Sequence, residues 1–165
     1  MKLNLYIALV IIPPVTGEIN YRDYKDGDKF LYQVCFYACR NKEGIPCYVG
    51  IDDKINKIVG CMGMDIPYPL PKEKEEAVRK KMPNPKKAGI FGNIGLVDVS
   101  QQYRKQGIGS RPVQHSIDKG RTTSNTLAMV LDVNKNHEAA IALYEKLKFV
   151  QVMLEGDYYT MAYYY

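Results

Sequence analysis

The sequence predicts one α/β or α+β domain, and three observations carry that expectation. Apolar runs of strand length alternate with segments of helical period, and two runs near the C-terminus are separated only by the turn Glu155-Gly156-Asp157. The chain has 165 residues, of which 46% are hydrophobic and 25% charged, the composition of an ordinary packed domain. That balance excludes a disordered tail, a collagen and a coiled-coil rod.

Taken in order, residues 18–24 read as a first strand, and Asp26-Gly27-Asp28 supplies helix-start residues before a helix over 29–40. Residues 48–51 and 57–64 are strands joined by the polar turn 52–56, which predicts a hairpin. Pro67, Pro69, Pro71, Pro83 and Pro85 then bracket a charged stretch. Residues 72–82 fit a short helix with prolines at both ends, read as solvated surface in preference to a substrate lid. Residues 94–99 form a strand, 103–110 a basic loop punctuated by glycine, and 111–119 a helix with Val113 and Ile117 on one face. Residues 127–133 are another apolar strand. Asn136 is expected to cap a helix over 137–148 whose buried stripe is Ala139, Ala140, Leu143, Tyr144 and Leu147. Residues 149–154 and 158–163 form the closing hairpin.

Charge and cysteine content narrow the function. The net charge is +5, but seven basic residues against three acidic ones lie between Lys72 and Lys87, so the excess is local. A polyanion binder spreads its charge along a face, and no nucleic-acid partner is expected. Cys35, Cys39, Cys47 and Cys61 include no CxxC pair, and no metal site is expected. The i, i+4 spacing of Cys35 and Cys39 puts both on one helix face, predicting buried, reduced thiols and hence a cytoplasmic protein, with a disulfide or a zinc site as the alternative. Residues 1–17 are read as an N-terminal apolar extension. The apolar run 5–12 is too short to span a hydrocarbon core of about 30 Å, and no small-x-small cleavage site follows it. Residues 18–165 are then the domain, with 66–89 a proline-bracketed basic insertion and no membrane contact.

Chemistry concentrates in two segments. Arg104-Lys105-Gln106-Gly107-Ile108-Gly109-Ser110 lies between a strand and a helix. Gly107 and Gly109 free the backbone to turn, so several N–H groups at the helix start can face one anion. A helix N-terminus carries about half a positive charge, which makes phosphate the natural guest, with Arg104 and Lys105 as mobile positive charge beside it. The loop is neither a Walker loop nor a dinucleotide fingerprint. About 25 residues further on, a strand leads into a helix carrying Asn136, Ala139 and Leu143-Tyr144.

Together these segments resemble the GNAT superfamily of acyl-CoA-dependent N-acetyltransferases. Arg104, Gly107 and Gly109 resemble its pyrophosphate loop, and the strand ending at Val99 resembles its splayed strand. The resemblance implies a mixed, mostly antiparallel central sheet with a splayed strand pair, flanked by helices on both faces. It implies acetyl-CoA as cofactor, contacted by Val97 and Val99 on the splayed strand. The loop residues Arg104, Lys105, Gln106, Gly107, Ile108, Gly109 and Ser110 would hold its pyrophosphate, with Asn136 and Ala139 at the following helix. Tyr144 becomes the catalytic residue, an acid for the departing thiolate. The acceptor is then an amine, either a small molecule or a peptide N-terminus or lysine. A non-catalytic acyl-CoA-binding or regulatory module is the alternative.

Two departures from the family pattern stand out. Lys148 occupies the position where the family has Gly before its aromatic, here Phe149. The splayed strand also lacks a base: Asn93, Gly95 and Val97 are expected in phase with Val99, and Asp98 points the opposite way. An α-amino group with pKa near 8 costs about 1.4 kcal/mol to deprotonate at pH 7, against about 4.6 for a lysine-like amine. A missing carboxylate therefore favours a water relay or an easily deprotonated amine. The Tyr-rich end (Tyr158, Tyr159, Tyr163, Tyr164, Tyr165) reads as a packed edge strand, with an acceptor pocket or a homodimer contact as alternatives.

Overall fold

Strands and helices alternate along the chain as the periodicity predicts, including the short helix between the prolines. The computed structural model describes residues 17–165, so the expected extension over 1–17 lies, Gly17 apart, outside the described residues. The elements are β1 (Ile19–Asp23), α1 (Gln33–Cys39), β2 (Tyr48–Asp52), β3 (Lys57–Asp65), α2 (Lys72–Lys80), β4 (Ile90–Val99), α3 (Ser110–Thr122), β5 (Thr126–Asn134), α4 (Glu138–Lys146), β6 (Val150–Glu155) and β7 (Tyr158–Tyr164). They build one seven-stranded sheet in the order β1-β2-β3-β4-β5-β7-β6. Every neighbouring pair is antiparallel except β4 and β5.

That parallel pair splits. Pairing runs from Ile90 opposite Thr126 to Ile94 opposite Leu131 and stops. Beyond it, β4 continues to Val99 against β3 alone, while β5 continues to Asn134 against β7. A bulge marks the fork: Gly63 lies opposite Leu96 but Met64 opposite Ile94, which leaves Gly95 as the extra residue. The bulge changes the strand's phase. Ile94 and Val97 face one core cluster and Leu96 the other. Asn93, paired with Asp65, therefore does not share a face with Val97 and Val99, contrary to simple alternation.

Each face carries two helices. Over one, Val113 and Ile117 of α3 and Tyr144 of α4 pack on Met62, Met64, Ile94, Met129 and Leu131. Over the other, α1 packs on β2 and β3, and Val78 of α2 packs on Phe91, Val130 and Ala162. The stretch favoured as solvated surface is thus a docked helix: Val78 is fully buried, and the Tyr164 hydroxyl donates to its carbonyl at 2.7 Å. Val78 supplies the apolar anchor in a charged segment, with Leu70 and Met82 packed beside it.

The cysteines are buried, as expected, but they are not reduced. Cys35 bonds to Cys61 on β3 and Cys39 to Cys47 before β2. The i, i+4 spacing turned both thiols inward, and their partners arrive from segments the spacing cannot see. Cα separations of 5.9 and 5.5 Å suit both bridges. The ground for a cytoplasmic setting falls with the thiols, because such bridges persist where the surroundings oxidise. No helix among the described residues is long and apolar enough to cross a membrane.

The start of α4 also differs from expectation. Its N-cap is His137, without a side-chain cap bond, and Asn136 is exposed, its N–H bonded to the Asn134 side chain at 3.0 Å. Ala139 faces solvent; Ala140, Ile141, Tyr144 and Leu147 make the apolar contact. Lys148 takes φ +73°, the glycine-favouring conformation the family pattern predicts there.

Candidate active site

The glycine loop is anchored from below before it turns. Tyr103 is buried, and its hydroxyl donates to Asp52 Oδ2 at 2.8 Å. Burial alone would raise the Asp52 pKa. The Tyr103 hydroxyl and the backbone N–H groups of Gly17, Lys54 and Ile55 outweigh it and hold Asp52 below the usual carboxylate range. The chain then needs two left-handed residues, Lys105 (φ +62°) and Gly107 (φ +77°), to enter α3. The Gly107 carbonyl turns inward, accepting from the Ser110 N–H at 3.1 Å and its hydroxyl at 2.6 Å. The consecutive N–H groups of Lys105, Gln106, Gly107, Ile108 and Gly109 find no acceptor among the described residues. Such a row at the start of a 13-residue helix has the donors to receive an anion.

Side chains play a smaller part there than expected. Arg104 is not a mobile charge: its Nε donates to the Val99 carbonyl at 2.9 Å and its Nη2 lies 3.4 Å from Asp98 Oδ1. It staples the loop to β4. Ile108 buries its side chain against Val59 and Tyr103, so only its N–H is available. Lys105 and Gln106 remain exposed. A Cβ on Gly109 would sit 3.7 Å from Val99 and 3.8 Å from Leu143, which brings loop, β4 and α4 to one point.

The fork supplies further main-chain groups. The Ser100 N–H bonds to β3 at Val59, so alternation turns the backbones of Asp98 and Leu96 toward β3 and those of Val97 and Val99 into the fork. Tyr144 lies under this opening, in one cluster with Ile94 and Leu131, the last β4–β5 pair. It is 8% exposed, its ring centroid is 5.8 Å from that of Phe149, and its hydroxyl has no partner among the described residues. Burial pushes its pKa up to about 12. Asn136 and Ala139 are exposed at the entry to α4, apart from this buried ring.

The opposite face of the fork holds Asp98, which the sequence placed there, and Tyr32 and Asp132, which it did not single out. Asp98 lies there, on the face away from Val97 and Val99 as expected, beside Tyr32. Burial and then the Asp98 charge raise the Tyr32 phenol well above its ordinary value. Asp132 stands one residue past the last β4–β5 pair, with Oδ1 accepting from Thr160 Oγ1 at 2.7 Å and Oδ2 paired with Lys74 of α2. A charged residue inside the otherwise apolar run 127–133 was the available signal. A hollow of about 260 Å³ adjoins the fork on this side, between α1 (Tyr37, Ala38) and Gly63, Gly95 and Leu96, with Lys42 bonded to Asp65 at its rim. A larger hollow of about 570 Å³ beside Phe30 and Phe36 contains no residue of the fork.

A sheet opened between parallel strands, with a row of free amides at one lip and a buried phenol beneath, is the arrangement that the resemblance to acyl-CoA-dependent transferases implies. Residues 15–149 match the acetyltransferase (GNAT) family, and the chain belongs to that family. It is similar to an N-alpha-acetyltransferase of Saccharolobus solfataricus, 29% identical over 132 residues, which cover 78% of this chain and 71% of that protein. It is also similar to the [ribosomal protein bS18]-alanine N-acetyltransferase of Salmonella typhimurium, 32% identical over 66 residues, 40% of this chain and 44% of that enzyme. Among solved structures, Arabidopsis thaliana NAA60 in complex with acetyl-CoA shares the fold with a TM-score of 0.66 at 16% identity, covering 90% of this chain and all of that one.

Proposed function

We propose that this chain transfers an acetyl group from acetyl-CoA to the α-amino group of a peptide. The observation that carries this proposal is the fork beyond Ile94 and Leu131, with the unpaired amides of 105–109 at its lip. The residues fit the donor: five N–H groups suit a pyrophosphate, and the backbones of Val97 and Val99 suit an extended amide-bearing arm. Acetyl-CoA supplies the activated thioester; the protein supplies position, charge stabilisation and exclusion of water. The main-chain N–H groups of the fork are the donors for the oxyanion that develops as the amine attacks. The Tyr144 hydroxyl donates to the departing sulfur. With its pKa at about 12 against roughly 8.5 for a thiol, full proton transfer is uphill by about 5 kcal/mol, so Tyr144 acts as a hydrogen-bond donor that yields its proton late.

The acceptor enters from the face of α1 and α2, where Asp132 is the carboxylate nearest the vertex of the fork. It accepts the proton that the bound ammonium must lose before the free amine attacks the thioester carbon, and it removes the reason to favour a non-catalytic acyl-CoA-binding module. An α-amino group is the cheaper acceptor by about 3 kcal/mol over a lysine, and the relatives named N-alpha-acetyltransferase support the same choice.

The test is thiol release with acetyl-CoA and two peptide sets, one with free N-termini and no lysine, the other N-blocked with lysine. Turnover confined to the first set is expected. Equal turnover of both would overturn the α-amino assignment, and no stabilisation of the protein by acetyl-CoA would overturn the donor.

A further inference from the structure

The ion pair between Lys74 and Asp132 joins the segment inserted between β3 and β4 to the mouth of the fork. Val78 packs with Ala128 and Val130, whereas Lys74, one turn earlier, meets Asp132. Helix α2 therefore runs antiparallel to β5, with its first turn at the fork. The placement is secured independently of Lys74. Tyr164 holds the Val78 carbonyl, Arg79 bonds Glu75 at 2.7 Å, and its Nη1 reaches the Pro85 and Lys87 carbonyls at 3.0 and 2.9 Å. Lys74 is 19% exposed and Asp132 42%; a pair so open to water adds little to stability. Its effect is geometric. Thr160, 1% exposed on β7, fixes Oδ1 and Lys74 fixes Oδ2. A carboxylate offers about four acceptor sites, so two oxygens held in this way still present free lone pairs to an incoming ammonium.

We infer that Lys74 is a positioning residue: with Thr160 it holds the Asp132 carboxylate toward the acceptor's amine at the fork. This inference rests on the acetyl-transfer reading above. It makes α2 a working part of the acceptor side and explains why a charged segment is folded against the sheet.

The experiment is a double-mutant cycle on the full chain, with acetyl-CoA and a peptide bearing a free N-terminus. Lys74→Met should lower kcat roughly tenfold, as expected for a misaligned group, with the acetyl-CoA Kd and Tm unchanged. Lys74→Arg should restore most of that loss. Asp132→Asn should lower kcat roughly 100-fold, and adding Lys74→Met to it should cost nothing more. Full activity in Lys74→Met, or a loss that persists on the Asp132→Asn background, would overturn the inference while leaving acetyl transfer intact. If the wild-type chain releases no thiol with any peptide, the acetyl-transfer reading falls and takes this inference with it.

Discussion

The two faces of the fork are built differently. The side proposed for the acetyl donor is made largely of main chain from one continuous stretch, residues 97–110, with Tyr144 beneath it. The side proposed for the acceptor is made of side chains brought from α1, α2, β4, β5 and β7, tied by two disulfides and by the Lys74–Asp132 and Lys42–Asp65 ion pairs. One side is specified locally, the other only by the finished fold. Perturbations that separate binding of acetyl-CoA from handling of the amine test this division.

The largest effect is expected from the cross-links. Replacing Cys35 and Cys61 by Ala, or reducing both bridges, should cost about 2–4 kcal/mol of stability, read as a lower Tm. It should also raise the acceptor KM, because α1 walls the acceptor hollow, while the shift in Tm on adding acetyl-CoA persists. A Tm indifferent to reductant would show that α1 is held without them. On the donor side, Gly109→Val should weaken acetyl-CoA binding by up to roughly 100-fold, through overpacking against Val99 and Leu143. Gly109→Ala, whose Cβ meets both at ordinary contact distance, should bind almost normally. Calorimetric titration of both variants distinguishes this steric account from a general intolerance of substitution.

Tyr144→Phe should reduce kcat by about 100-fold, the lower end for acid catalysis, with acetyl-CoA affinity nearly unchanged. A parallel loss of affinity would make the residue a packing element alone. The pH profile follows from the same phenol. Its raised pKa extends the protonated, donating form upward, so the rate should rise as an α-amino acceptor loses its proton near pH 8 and stay level past pH 10. A fall centred near 10 would mean the phenol is not buried in the working enzyme. The smallest effect belongs to Lys148→Gly, which relieves a left-handed residue and should add about 1 kcal/mol of stability, seen as a Tm a few degrees higher with kinetics unchanged.

The same division decided what could be read from the amino-acid string. Gly107, Gly109 and the strand before them lie close together, so the turn into α3 was legible from the residues, and the fork was expected from the family resemblance that this local stretch carries. Asp132, Lys74 and Thr160 are spread over 87 positions of the chain and acquire meaning only when α2 docks antiparallel to β5. The bulge at Gly95 escaped although a glycine inside a strand is a signal for one: the single extra residue reverses the strand's phase, and simple alternation was carried through it. Cys47 and Cys61 were visible as residues, but their pairing depends on which strands flank α1.

A donor cradle lined by peptide nitrogens has a lasting consequence for variation in this chain. Replacing Gln106 by any residue but proline changes the local potential and deletes no N–H, so that position can drift chemically, or be retuned toward other salt conditions, without forfeiting the hold on phosphate proposed for the loop. Mutational intolerance there should fall instead on the two left-handed turns and on Tyr103, the peg beneath them.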